Sequence, residues 1–455
     1  MGEPLESNRL DRRAFLLGSG LAVSALAGCL EDDPEAETES SGNGNGDGDE
    51  NGDEDDENGE SGGGGSGRSA PTVPDPDFTV GPSDEADYET LQAAYDALES
   101  GDVIGIEPGR YTVQPSIVRA DEEGEELTKT YTYVGEAATE TTIEILMPED
   151  PSFSVDGLLH YHPDDGAPGF WQATVDIPSS IEFARLEEYE DDYDSGRVDA
   201  HYATVNGSFD GPTEAYDTVF ADDVSHALVP AECEFHGDVG GPVISARHCQ
   251  FYSDLNSRGG YTTDSVIEGT VGLNQMRVAR CEIHGGVTVN GGGSVENCIV
   301  DPKPSSSVAV DIRSRYDATV VESEIRGTVR SNRDGSYIDR IEQNTFDAPS
   351  GTSYIIDGAP ATDIYLNAFL GGDVRITTDT GDLASFPADE LTLYDAEREL
   401  GNYYSEWEQT DTEDEGVLST RTLPGEDGEM DRHPLANSDI DAYAAAAEED
   451  EEDDD

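Results

Sequence analysis

Between Cys233 and Phe251 the chain reads CEFHGDVGGPVISARHCQF, two Cys-x-Phe triplets sixteen residues apart with a histidine beside each. Thiolates and imidazoles bind borderline and soft metals, and two thiols on neighbouring strands can close a disulfide. A third reading makes the triplets copies of one position in a repeating stack. Further along, SEIRGTVRSNRD places Arg326 and Arg330 among Glu322, Glu324 and Asp334. An arginine base with acidic neighbours suits β-elimination on a uronate, and two carboxylates at a set separation suit glycoside hydrolysis. Arg326, Arg330 and Glu324 are therefore the catalytic candidates. His160 and His162 would share one strand face, a sensible metal spacing, with no third ligand evident. With 102 Asp+Glu in 455 residues, a carboxylate near an arginine says little by itself. The elements that position these groups have to decide.

Those elements repeat. Cys233-x-Phe235, Cys249-x-Phe251, Ser265-x-Ile267, Cys281-x-Ile283 and Asn297-x-Ile299 start sixteen residues apart, and Ser323-x-Ile325, Asn344-x-Phe346 and Asn367-x-Phe369 continue the series with longer insertions. A second apolar column follows at Val239, Leu255, Val271, Val287 and Val329. Alternation within each short segment predicts strands with one buried face, and the constant return predicts that each strand pairs parallel with its copy in the next coil. Glycines 237, 269, 285 and 327 stand at corners. The fold predicted is all-β, a single-stranded parallel β-helix (a solenoid) over 78–435, with 151–216 irregular enough to be a lateral insertion. Leu91, Ala94, Tyr95 and Leu98 lie on one face of a short helix that would cap the first coil.

A stack tests the cysteines. Adjacent coils lie about 4.8 Å apart, so Cys233 and Cys249 are within disulfide reach, although stacked Cβ vectors are not its ideal geometry. Cys281 lies two coils beyond Cys249, and Cys298, one residue out of the column, should face the other way. His236 and His284 are three coils apart, about 14 Å, and cannot share one ion. The stretch reads best as a ladder of small polar residues beside a Phe/Ile stack. Three residues after each ladder position stand His236, Tyr252, Glu268, His284, Val300, Arg326, Asp347 and Leu370. A file of aromatic, acidic and basic groups along a flat side could stack on and hydrogen-bond to sugar rings, or be ordinary solvated surface.

The formal charge is −78, with only two lysines, Lys129 and Lys303. Such a surface repels nucleic acid and anionic membranes and resembles that of proteins from near-saturated salt. The start, DRRAFLLGSGLAVSALAGC, has Arg12 and Arg13 before an apolar run too short to span a bilayer. It resembles a twin-arginine lipoprotein signal over 1–29 ending in a lipobox, which implies cleavage before Cys29, lipid attachment at that cysteine and residence on the outer face of the cytoplasmic membrane. Residues 30–77 are Gly, Ser, Asp and Glu with almost no aliphatic residue, a solvated tether, and 436–455 is an acidic tail.

The helix, GDVIGIEPGRY and the strand after it resemble the N-terminal part of right-handed parallel β-helix proteins of the pectin-lyase-like class. GNYYSEWEQTDTEDEG and DRHPL resemble the C-terminal signature of the NosD-like branch, described as periplasmic copper-binding or carbohydrate-binding and sugar hydrolase domains. That resemblance implies a calcium-loop-like run, here Asp411, Glu413 and Glu415, although Asp414 replaces the turn glycine. Calcium is thus the one cofactor implied. The paired-aspartate NTD, GDD and GHG motifs of polygalacturonase-like enzymes and the lyase-like RxPxxR are absent from the sequence. The resemblance implies a lipid-anchored surface β-helix that binds or processes extracellular polysaccharide, as a lyase or hydrolase if an enzyme. The alternatives are a non-catalytic structural or adhesive rod and a copper accessory protein, the last disfavoured by 4 Met and scattered His.

Overall fold

The computed structural model describes residues 70–453 apart from 116, 121–125, 130, 147–157, 162–168, 178–180, 186–197, 211–212, 226–227, 242–243, 303–307, 314–317, 333–339, 358–361, 378–390, 396–397, 406–420 and 423–429. Each coil folds into short strands that pair, parallel and in register, with their copies one coil on. Ile244–Arg247, Gln250–Phe251 and Leu255–Ser257 sit on Gly260–Thr263, Val266–Ile267 and Val271–Leu273. The first sheet so formed has fifteen strands, from Phe78–Val80 to Leu391–Thr392. The second and third sheets join where Thr345–Asp357 and Ala368–Thr377 run unbroken across both faces. The protein is a parallel β-helix.

Inward positions fuse into one core. Phe220, Phe235 and Phe251 stack at centroid separations of 5.0 and 4.9 Å, and Phe346, Phe369 and Tyr404 repeat this at 4.9 and 5.4 Å. Ile267, Ile283, Val300 and Ile325 fill the levels between, all fully buried. Part of the span expected as an insertion belongs to the coils. Gly169–Trp171, Val198–His201 and Thr213–Tyr216 are consecutive first-sheet strands, and Thr174–Asp176 and Thr204–Asn206 are second-sheet strands. Here the inward residues include Ala200, Ala203 and Ala215, whose weak apolar signal hides the alternation.

The corner between the first and second sheets explains the ladder. A non-glycine residue in the left-handed region turns the chain there, with φ of 57° at Glu232, 54° at His248, 54° at Asp264 and 51° at Asn297. The next residue points inward, and its N–H finds its acceptor on the side chain one coil on. Cys249 N donates to Ser265 Oγ (3.0 Å), Cys298 N to Ser323 Oγ (3.1 Å), Ser323 N to Asn344 Oδ1 (3.0 Å) and Asn344 N to Asn367 Oδ1 (3.1 Å). A buried donor left unpaired would cost about 1–3 kcal/mol, so each level needs a small side chain that can accept.

Two expectations about this column are corrected. Cys298, not Asn297, is the ladder residue, because the coil through Gly291, Gly292 and Gly293 holds one extra residue. Cys298 is buried, Ile299 is turned outward at 38% exposure, and Val300 is buried. Cys233 and Cys249 are stacked free thiols rather than a disulfide, as parallel Cβ vectors favour. Burial raises the Cys233 thiol well above its ordinary value. Of the predicted corner glycines, Gly237, Gly269 and Gly285 are required for space rather than for φ: a Cβ on Gly285 would stand 1.9 Å from Gly269 O.

Both ends are covered. The helix Leu91–Ala97 buries Leu91, Ala94 and Tyr95 on the first coil, with Thr90 as its N-cap. Lys129 Nζ donates to the carbonyls of Tyr95, Asp96 and Leu98, and Tyr131 Oη reaches Tyr95 O and Leu98 O, satisfying the helix C-terminus. At the other end the ladder closes on a carboxylate. Asn402 N donates to Asp431 Oδ2 (2.8 Å), as does Tyr404 Oη (3.1 Å), and His433 N donates to Oδ1 (3.0 Å). The acidic tail forms the helix Ile440–Asp453, whose Ile440 and Ala444 join Leu366, Leu400 and Leu435 in a second apolar cluster. Before the first strand, residues 71–77 run along the flank of the stack: Tyr202 Oη donates to Pro71 O, Pro76 lies against Gly105, and Asp77 N donates to Val103 O.

Candidate functional site

The predicted file is real as geometry. His236, Tyr252, Glu268, His284 and Arg326 line up on the outer face of the second sheet, with Asp301 in the place expected for Val300. Its groups are occupied with one another. His236 pairs with Glu234 (3.6 Å), His284 with Glu282 (3.2 Å) and Glu268 (4.0 Å), and Arg326 with Glu324 (2.8 Å) and Asp301 (2.9 Å). The His236 and Tyr252 rings stack at 4.6 Å and 11° along the file, so their facing surfaces are turned to each other and not to a ligand. Donating to the carboxylates of Asp301 and then Glu324 raises the Arg326 guanidinium above its ordinary value, the wrong direction for a base.

The other candidates are dispersed. Arg330 lies on the third sheet opposite Asp311, one face away from Arg326, because the chain turns at Gly327. Glu322 occupies a left-handed corner at φ 53°. His160 belongs to the strand Leu158–Tyr161, while His162, Asp334, Asp411, Glu413, Glu415, Cys29, Arg12 and Arg13 lie outside the described residues. Among the described residues no three His, Cys, Asp or Glu side chains converge as a metal site, and no helix is long and apolar enough to cross a membrane.

A different face holds a cleft. On the outside of the third sheet Gly240, Asn256 and Gly272 stand side by side in register, so the one side chain lies between two bare positions. The result is an open cleft of about 580 Å³, floored by those glycines and Gly241 and walled by Asn256, Ser257, Arg258, Asn274 and Asn290. Asn256 is laid flat over its neighbour: a Cβ on Gly272 would meet Asn256 Oδ1 at 2.2 Å. Asn274 lies likewise over Gly291, whose Cβ would come within 1.6 Å of its Oδ1. Backbone bonds from Asn274 N to Ser257 O and from Asn290 N to Leu273 O fix the amide-bearing corner.

The electrostatics of this cleft differ from those of the rest of the surface. Among the described residues no carboxylate lines it, in a chain with 102 of them. Arg110, Arg277, Arg280, Arg313, Arg326 and Arg340 each hold an acidic partner. Exposed Arg258 has no carboxylate partner among the described residues. Amides that donate and accept and one guanidinium can satisfy vicinal hydroxyls and a substituent of negative charge. The lining supplies none of the carboxylates that glycoside hydrolysis uses. The sequence carried a signal for it: LNSRGG, GLNQ and VNGGG recur one coil apart, an Asn near a Gly at each level.

No protein-family profile matches the chain, and no curated protein does. Among solved structures, the chain is similar to the A-module of the Azotobacter vinelandii mannuronan C-5 epimerase AlgE4 at 13% identity, over 65% of this chain and 85% of that one, with a TM-score of 0.29.

Proposed function

We propose that this protein is an exported, lipid-anchored β-helix that binds an extracellular polysaccharide in the third-sheet cleft. The observation that carries the reading is the carboxylate-free lining of Asn256, Arg258, Asn274 and Asn290 on an otherwise acidic molecule. Binding, rather than turnover, follows from a lining that offers hydrogen bonds and one cation but no proton-transfer pair. Flat amides over a glycine floor let a sugar ring approach the backbone, as a bulky floor would not. Retention of the protein by glycans in multimolar KCl tests the reading, with Asn256→Ala and Arg258→Ala as the discriminating variants. Each is expected to lower affinity about tenfold to a hundredfold, since a lost hydrogen bond to a charged group is worth about 1.5–3 kcal/mol. Equal binding by wild type and both variants would remove the cleft from the reading, and no binding at all would leave a surface rod.

A further inference from the structure

The cleft does not end at the edge of the third sheet. A second open depression, about 490 Å³, lies on the other side of the corner leading to the first sheet, floored by Gly260, Gly291, Gly292 and Gly293 and edged by Gln275 and Arg277. The two abut through consecutive residues: Asn274 walls one and Gln275 the other, and Asn290 is followed by Gly291 in the same way. The corner itself is bare. Gly260, Gly292 and Gly293 hold φ of 86°, 87° and 130°, a conformation that excludes most side chains, and a Cβ on Gly260 would meet Ile244 O at 1.9 Å. Among the described residues no carboxylate lines this depression, and Arg277, 58% exposed at its edge, is ion-paired with Glu296, which an anionic substituent would have to displace or share.

From these features we infer a second saccharide subsite at the corner, so that a bound glycan crosses the stack at right angles to its axis. The chain runs from Arg258 on the third sheet over the glycine corner to Arg277 on the first. Its chemical class is a polyhydroxylated chain bearing carboxylate or sulfate groups, spaced so that successive substituents meet the two guanidinium groups. This rests on the cleft being a glycan site. It departs from the arrangement a file of residues along the coils would give, in which a polymer lies parallel to the axis.

The test is calorimetry of the full-length protein in multimolar KCl with disaccharides and hexasaccharides of oligogalacturonate, chondroitin sulfate and cello-oligosaccharide. Wild type is expected to bind one of the anionic hexasaccharides at least tenfold more tightly than its disaccharide and than the neutral hexasaccharide. Arg277→Ala and Gln275→Ala should lower hexasaccharide affinity about fivefold or more and leave the disaccharide unchanged, while Arg258→Ala weakens both. If Arg258→Ala abolishes binding but the two corner variants leave hexasaccharide affinity intact, the corner subsite is overturned and the cleft stands. Equal affinity for neutral and anionic hexasaccharides would overturn the charge assignment. Absence of binding throughout sinks the subsite and the cleft together. Unchanged melting temperatures for the three variants confirm that lost affinity is not lost folding.

Discussion

Asp431 is the last acceptor of the ladder, and its chemistry differs from that of the amides before it. Burial raises its carboxyl to about 6, well above the ordinary aspartate range, although hydrogen bonds from Asn402, His433 and Tyr404 partly offset this. A raised carboxyl means that the folded chain prefers the proton more than the unfolded chain does. Stability from this group therefore grows as pH falls from above 6 towards 4, and its ionisation above 6 costs roughly 3 kcal/mol, from about two pKa units. Denaturation at fixed salt should show this slope between pH 4 and 6, and Asp431→Asn should remove it; an unaltered slope in the variant would assign it to other acids. The four ladder thiols at Cys233, Cys249, Cys281 and Cys298 are all buried. A thiol reagent should modify none of them in the native protein and all four after unfolding. Rapid native labelling would mean that the corner opens. The thiol column was legible in the sequence because its spacing is regular, but the acceptor role was not, since it depends on which backbone N–H the left-handed corner leaves unpaired. One inserted residue among Gly291, Gly292 and Gly293 was enough to misplace Cys298, as strand periodicity turns a slip of one into a reversal of face.

At the scale of the element, apolar alternation revealed strands wherever the inward residue was Phe, Ile or Val, and failed where it was Ala200 or Ala215. The aromatic column should be a principal source of cohesion. Phe235, fully buried and stacked on both sides, is expected to cost about 3–5 kcal/mol when replaced by alanine, read as a shift of the denaturation midpoint. A loss below about 1 kcal/mol would mean that the neighbouring coils collapse into the gap. The predicted file on the second sheet lines up except at Val300, where Asp301 stands instead, and its groups pair with one another, which the order of side chains in a sequence does not reveal. Glu234, Glu282 and Glu324, the alternate residues of the same strands, close those pairs. The third-sheet cleft was missed for the opposite reason: it is built from positions without side chains, and glycine was read as a turn residue. Gly272→Ala tests this directly. Displacing Asn256 should weaken glycan binding with little change in melting temperature.

For the whole molecule, charge and location set the conditions under which the other scales operate. Adjacent coils are about 4.8 Å apart, so like-charged rows repel at 0.1 M salt, where the screening length is about 10 Å, and much less at 1 M, where it is about 3 Å. Thermal stability should therefore climb steeply with KCl across that range, and a flat profile would show that the rows are already compensated. Export is tested by replacing Arg12 and Arg13 with lysine, which should hold the protein in the cytoplasm, whereas Cys29→Ala should release an exported protein from the membrane. The segment 71–77 adds a mechanical consequence. Because it lies along the flank from Tyr202 up to the first strand, a pull on the N-terminal tether meets its contacts one after another instead of all at once. Peeling those seven residues would pay out up to about 25 Å of extended chain before tension reaches the edge strand Phe78–Val80. The flank segment is thus a slack line, which yields under a pull while the coils remain folded.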